Sequence, residues 1–594
     1  MNIPDRLIAL RQQMQQHHID AIIIPSSDSH QSEYVAAHWQ SRVWISGFTG
    51  SAGTVALSAT KAGLWTDSRY WIQAEEQLRG TGIELHKQIN RAQPTFLKWA
   101  VEQIPENGKI AIDGRQLSES EYRMYARLLK SRNIELVTDL DLVGAAWPTR
   151  PQLPDNPIFE HPTVYAGKSR EEKLLEVRNH MERLRVPNYL LTGLDDIAWL
   201  FNLRGTDVAC NPVFYAYASI SPDNVTLFVD AAKVPNELRK ELAEAGIELR
   251  PYDSILEFCT NFPEGQVLTQ PTSLNRLLYQ ALPPKQIIEG PNIVRHLKAI
   301  KNETEINHLK EAMRKDGVAL LRLFRWLDKM LDAGEAVTEV QVAEQLDQFR
   351  AAQSGYHGES FNAIVGYQGN GAIVHYHAMP ETCATIKKAG VLLLDSGGQY
   401  IDGTTDITRT VALGPVGEKT KLAYTLVLQG HIALANIRFP EGTNGAQLDP
   451  LARMYLWNHG MNYGHGTGHG VGFFLNVHEP PQGFVASAAG NGLTPFKVGM
   501  LTSNEPGYYE ANEFGIRIEN LVVCVPDRET PSGNFLKFDT ITYFPIELDM
   551  VKKDMLSSEE IDWINNYHQM VYQELASRVS EEEKAWLKTK CAAI

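Results

Sequence analysis

Cysteine is scarce and scattered. Five stand in 594 residues, at Cys210, Cys259, Cys383, Cys524 and Cys591, and no two form a Cys-x-x-Cys pair. An odd, unclustered set excludes a disulfide framework and a cysteine-built structural zinc site. No apolar run is long enough to span a bilayer. The start, Met1-Asn2-Ile3-Pro4-Asp5-Arg6, lacks the basic region and apolar stretch of a signal peptide. Positive charge is short too: 56 Lys and Arg against 71 Asp and Glu leave a net charge of −15. That balance argues against a protein that grips a nucleic-acid backbone. The expectation is a cytoplasmic enzyme with neither nucleic acid nor membrane as partner. The final Cys591-Ala592-Ala593-Ile594 fits a loose prenylation pattern, but Glu581, Glu582 and Glu583 oppose the basic flank such an anchor needs.

What is present is ordinary for a globular chain: 43% hydrophobic and 21% charged residues. The length exceeds what one core serves, so several domains are expected. Residues 147–162 carry Pro148, Pro151, Pro154, Pro157 and Pro162, too dense for a helix or a central strand. Pro283, Pro284, Gly290 and Pro291 mark a second break. These linkers divide the chain at 1–155, 156–297 and 298–594, with a charged helical tail from about residue 551 read as an appendage.

The first two segments look like copies of one α/β domain. A helical pattern at Leu10–Met14 leads to the apolar run Ala21–Ile24; Val177–Met181 leads to Tyr189–Leu191. Trp44–Phe48 corresponds to Trp199–Leu203, and Leu64–Asp67 to Leu227–Asp230. The third segment opens with helical patterns over 303–332 and 338–352, then turns glycine-rich with short β-like runs and another helix near 418–437. Helices packed on a curved, mostly antiparallel sheet fit it best.

Five side chains there point to metal chemistry. Asp395 ends the apolar run Val391–Leu394, which would set it at the mouth of a buried strand, where a carboxylate needs a partner or a cation. Asp406 follows, with Gly397, Gly398 and Gly403 between them to permit tight turns. In Gly464-His465-Gly466-Thr467-Gly468-His469-Gly470 the histidines have helical spacing but the glycines forbid a helix, so a loop or strand edge is expected. A phosphate cradle is the alternative, without the lysine it would require. Glu505 and Glu519 complete the set; Arg517 and Glu519 share one strand face, Ile516 and Ile518 the other. Four carboxylates and one imidazole suit two divalent ions, with roughly −4 against +4 in formal charge. Such a pair, about 3.5–4 Å apart, turns a shared water into hydroxide near neutral pH. Each residue alone has a plainer reading as a turn, cap or hydrogen-bonded core residue.

The order and wording of these motifs resemble the pita-bread (creatinase/aminopeptidase) family, which includes methionine aminopeptidase, prolidase and aminopeptidase P. The resemblance rests on Asp395–Tyr400, Asp402–Asp406, His465–Gly472, Asn476–Glu479, Asn504–Tyr509 and Gly515–Asn520, and it is most specific to the long, three-domain aminopeptidase P form. It implies two related α/β N-terminal domains before a pita-bread catalytic domain. It implies a hydrolase that releases the first residue from peptides with proline second, by attack of a metal-bridging hydroxide. It implies two metal ions, usually manganese with zinc or cobalt as alternatives, on Asp395, Asp406, His469, Glu505 and Glu519, with Asp406 and Glu519 bridging. Glu505 would shuttle a proton to the leaving nitrogen. His375 and His478 would contact substrate and steady the tetrahedral intermediate. His465 would line the substrate pocket and Arg517 would orient a carboxylate. Arg69 would bind substrate from the first domain, across a homodimer. A prolidase-like dipeptidase and a non-catalytic peptide-binding relative are the competing readings.

Overall fold

Two six-stranded sheets organise the N-terminal half, and they have one topology. From edge to edge the first runs Glu84–Lys87, Ala62–Thr66, Thr54–Ser58, Ala21–Ile24, Lys109–Ala111, Glu135–Val137. The second runs Ile247–Arg250, Val225–Val229, Ala216–Ile220, Asn188–Leu191, Val267–Thr269, Ile287–Glu289. In both, the first edge pair is parallel, the next two pairs antiparallel, and the last two parallel. A helix precedes the same central strand in each: Ile3–Gln16 before Ala21–Ile24, Arg170–Leu184 before Asn188–Leu191. Both central strands are buried throughout, as continuous apolar runs in covered sheets should be. The expected pairing of Leu64–Asp67 with Leu227–Asp230 therefore falls on equivalent strands.

The computed structural model describes residues 1–89, 93–486 and 490–594. Its contacts divide into two units, Met1–His161 with Lys168–Val294, and Pro162–Gly167 with Arg295–Ile594. Both sheets lie in the first unit. Their joint is polar: His30 meets the Thr192 carbonyl at 2.7 Å and the Tyr252 hydroxyl at 2.8 Å, and Asn275 Nδ2 donates to the Ser29 carbonyl at 2.7 Å. The stretch read as a linker at 283–292 holds an edge strand, Ile287–Glu289. Its prolines flank that strand and leave its own N–H groups free to pair.

The second unit is built round the 30-residue helix Glu303–Asp332, opened by an Asn302–Glu305 capping box. One sheet orders Tyr356–Tyr367, Val391–Tyr400 and Gly403–Thr404, with Ile407–Ala412 also paired to Val391–Tyr400; another orders Arg438–Pro440, Gly533–Thr540, Asn520–Thr530 and Leu501–Asn504. The helices Glu418–Asn436 and Gly445–Asn458 complete it, the latter absent from the sequence reading. Among the described residues no helix is long and apolar enough to cross a membrane.

The C-terminal helices are not an appendage. Ile564, Tyr567, Val571, Leu575 and Leu587 are buried in the same core as the long helix. Arg314–Glu574 at 2.6 Å and Arg322–Glu583 at 3.0 Å rim that contact. Cys591 and Ile594 pack on the core as well.

Candidate metal centre

Asp395 lies in the middle of a strand, not at its mouth. Val391–Tyr400 continues through Ser396-Gly397-Gly398, pairing Asp395 with Ile364 on one side and Thr408 on the other. Gly397 serves close approach, not a turn: a Cβ there would collide with the Thr405 carbonyl and Ser360 Oγ. The turn belongs to Gly403, at φ +145°. Asp406 follows it and leads into Ile407–Ala412, beside Asp395's strand.

His469 sits on the short strand Gly468–His469, a strand edge as the glycines required. Its Nδ1 faces the Gly470 carbonyl at 2.9 Å, so Nδ1 carries the proton. Nε2 faces Asp406 Oδ2 at 3.5 Å and Glu505 Oε1 at 3.4 Å. Glu505 follows the strand Leu501–Asn504 and accepts from Ser503 Oγ at 3.2 Å. Glu519 lies where Phe514–Arg517 gives way to Asn520–Thr530, and accepts from Thr408 Oγ1 at 2.8 Å. Asp406, His469 and Glu519 each bring a ligand atom within 4.8 Å of the others.

Two features test whether this set fits a cation. Asp395 Oδ2 takes Arg517 Nη2 at 2.5 Å and Nε at 3.1 Å, but its buried Oδ1 has no hydrogen-bond partner among the described residues. A buried carboxylate oxygen left unpaired costs about 1–3 kcal/mol or more. The second feature is His469 Nε2 facing two carboxylate oxygens, a contact that requires a cation or a proton between them. Both are the positions a divalent ion would fill, and a ligating histidine whose other nitrogen donates to a carbonyl is the usual supported form.

The electrostatics agree. Burial, then repulsion from Asp395 and Glu505, lifts the Asp406 carboxyl well above its ordinary range. Burial, then Asp406, Glu505 and Asp395, does the same to Glu519. Burial and Asp395 push Glu505 up to about 7, against the pull of Arg517. Four carboxylates meet one guanidinium, so like-charge repulsion is unrelieved by the chain itself.

The remaining expected residues surround this cluster, with one exception. His478 stacks edge-on against His469, centroids 4.3 Å apart. His465 lies on Tyr509: Arg517 Nη1 donates to the Tyr509 oxygen at 2.6 Å, and that hydroxyl is 2.8 Å from His465 Nε2. His465 Nδ1 meets the Gly466 carbonyl at 2.7 Å. Arg517 also donates to the Val374 carbonyl at 3.2 Å, beside His375. Arg69 belongs to the first unit, where it holds Asp67 through two bonds of 2.8 and 3.0 Å.

Three contributors went unassigned in the sequence. Thr408 and Ser503 supply hydroxyls to the carboxylates. Thr408 stands two residues after Asp406, the spacing that returns to one strand face, and that was the available signal. Arg409 is the third. Fully buried, it donates to the carbonyls of Thr408, Glu519, Phe544 and Pro545, to Asn520 Oδ1 and to the Tyr567 hydroxyl. It ties the backbone of Glu519 to the C-terminal helix Ser558–Leu575.

Comparison with known proteins gives four matched stretches of the chain. Residues 6–141 and 149–305 each match the creatinase/prolidase N-terminal domain, 307–526 the metallopeptidase family M24, and 534–594 the C-terminal region of peptidase M24. Aminopeptidase P2 of Arabidopsis thaliana is 42% identical over 94% of this chain and 83% of its own length. The chain belongs to the aminopeptidase P family of M24 metallopeptidases. The crystal structure of the X-prolyl aminopeptidase of Caenorhabditis elegans, a cytosolic enzyme with a di-nuclear active site, superposes with TM-score 0.95 at 31% identity, covering all of both chains. The Xaa-Pro dipeptidase of Bacillus anthracis covers 64% of this chain and all of its own, at TM-score 0.51 and 26% identity. Both N-terminal matches carry one description, in keeping with the shared topology of the two sheets.

Proposed function

We propose that this chain is a dinuclear metal-dependent aminopeptidase that releases the N-terminal residue from peptides with proline second. The observation that carries it is the carboxylate cluster, with an orphaned Asp395 oxygen and His469 Nε2 facing two carboxylates. The named activity of the relatives supplies the reaction class.

In this reading Asp395, Asp406, His469, Glu505 and Glu519 would hold two divalent ions. Manganese is the metal we assign, on the hard oxygen-rich donor set and the family resemblance. Ions held there supply Lewis acidity and make water a nucleophile near neutral pH. The chain's own groups do the rest. Glu505 would take a proton from the attacking water and return it to the leaving proline nitrogen. His375 and His478 face the carbonyl where negative charge develops. His465, hydrogen-bonded to Tyr509, and Arg517 shape the substrate side. For Arg69 the assignment rests on the resemblance alone, as does the homodimer; the domain division at 155 and 297 rests on the proline-rich breaks. Cytoplasmic residence follows the cytosolic relative.

The bond before proline explains a dedicated site. Its nitrogen carries no hydrogen, and the ring restricts the preceding residue. Enzymes that grip an extended backbone through that N–H lose the contact, so the free amine and the ring must be read instead.

The test is hydrolysis of Arg-Pro-Pro by metal-stripped protein, with and without manganese, beside Glu505→Ala. Metal-dependent release of arginine, absent in the variant, is expected. Cleavage of Arg-Pro but not of the tripeptide would mean a prolidase. Release under no metal would leave a peptide-binding relative.

A further inference from the structure

The segment that carries His375 has little regular structure to fix it. After the turn at Gln368–Ala372, residues 373–384 form neither helix nor strand. A side chain on such a loop meets its target reproducibly only if the loop is tied down elsewhere, and a displacement near 1 Å can cost roughly a hundredfold in rate.

One buried carboxylate ties it. Glu339 opens the helix Glu339–Ala351 and is fully buried. It accepts from the Tyr367 amide at 2.7 Å, from Asn370 Nδ2 at 3.0 and 3.1 Å, from the Tyr376 hydroxyl at 2.8 Å and from the Ala384 amide at 2.8 Å. The Glu339 amide returns a bond to the Ala384 carbonyl at 3.2 Å. All these donors are neutral. The helix N-terminus supplies the remaining stabilisation of the charge. The donors come from both ends of the loop and from Tyr376, the neighbour of His375.

The other neighbour is tied separately. The Val374 carbonyl accepts from Arg517, which also holds Asp395. Gly371, just upstream, lies so close to Gly515 that a Cβ on Gly515 would strike the Gly371 carbonyl. His375 thus stands between two anchors, one reaching the carboxylate cluster and one reaching Glu339.

We propose that Glu339, acting through the Tyr376 hydroxyl, is a positioning residue that sets His375 against the reacting carbonyl. This rests on the role given to His375 above. Tyr376 is the cleaner probe, because Tyr376→Phe removes one oxygen and leaves the ring, whereas Glu339→Gln strands several donors and endangers the fold.

The experiment is a double-mutant cycle on manganese-loaded protein with Arg-Pro-Pro, reading kcat and KM for the parent, Tyr376→Phe, His375→Ala and the double variant. His375→Ala is expected to lose about a hundredfold or more in kcat. Tyr376→Phe should lose about tenfold in kcat with KM little moved, and should lose less than about twofold in the His375→Ala background. Hydrogen exchange across 373–384 should quicken in Tyr376→Phe, and in Glu339→Gln where that variant folds, while metal content stays at the parent's. A parental kcat for Tyr376→Phe, or an equal loss in both backgrounds, would overturn the positioning role and leave His375 standing. Full turnover by His375→Ala, or none by the parent chain, would overturn the underlying reading and the positioning role together.

Discussion

Besides the neutral-donor cradle of Glu339, two settings of buried carboxylate in the C-terminal unit invite comparison. Asp316 meets Arg350 at 2.7 and 3.1 Å and the Tyr400 hydroxyl at 3.1 Å. Asp449 meets Arg453 at 2.7 and 3.2 Å and Thr467 Oγ1 at 2.6 Å. In both, one guanidinium cancels one charge and neutral donors fill what remains. Asp406 and Glu519 are as deeply buried but face other carboxylates, while the Arg517 guanidinium bonds to Asp395. Burial is common to the two settings; charge balance separates them. The first setting is complete in the chain alone. The second is completed only by something cationic, which is what marks it as a site.

The widest break in this comparison should come from neutralising one member of each. Asp406→Asn is expected to cut Arg-Pro-Pro turnover by about ten-thousandfold, about 5 kcal/mol in the barrier, and to raise the melting temperature of the metal-free protein by relieving repulsion. Asp316→Asn should do the reverse to stability. It strands Arg350 in the core, and denaturant unfolding should show a loss of about 3–5 kcal/mol. A stabilising Asp316→Asn, or a destabilising Asp406→Asn, would erase the distinction.

Metal removal gives the next effect. Manganese at a hundred times its Kd should stabilise the parent by about 2.7 kcal/mol, read as a melting shift that a chelator reverses. In Asp406→Asn most of that shift should vanish, and in Asp316→Asn it should survive.

The smallest effect is a slope with pH. Glu505 has a folded pKa of about 7 against an ordinary 4.5, so the folded state binds the extra proton. Its contribution is fully present below about pH 4.5 and is lost as pH rises through 7, at most about 1.4 kcal/mol per pH unit for one proton. Metal-free protein should therefore lose stability over that window, and saturating manganese should flatten the trend. His431, buried beside Asn504 and Asn520, has the opposite sign. Burial, then Arg409, lowers it to about 3, so its contribution is present above pH 6.5 and lost as pH falls toward 3. Chemical denaturation from pH 4 to 8, with and without metal, separates the two.

The cluster's residue types were legible because carboxylates after apolar runs and histidines among glycines are conspicuous. Their settings were less so. Asp395 reads as a strand end because the apolar run stops at Leu394, yet the strand continues on small residues that close backbone approach demands. The paired sheets were legible because buried central strands leave continuous apolar runs in both copies. The C-terminal helices were misread from their charge, although Glu560, Ile564, Tyr567, Val571 and Leu575 recur at helical spacing and all are buried. Glu339 and Tyr376 left no trace, since nothing in a sequence says which distant amides a glutamate will meet.

The Arg409 contacts bear on when the site exists as well as where. Arg517 reaches Asp395 across 122 residues of sequence, and Arg409 reaches Tyr567 across 158. No fragment that stops short of Tyr567 contains all six of Arg409's acceptors, one of which is the carbonyl of Glu519 itself. Contacts this distant close late and slowly. A ribosome must release the chain through Tyr567 before the scaffold behind Glu519 is whole.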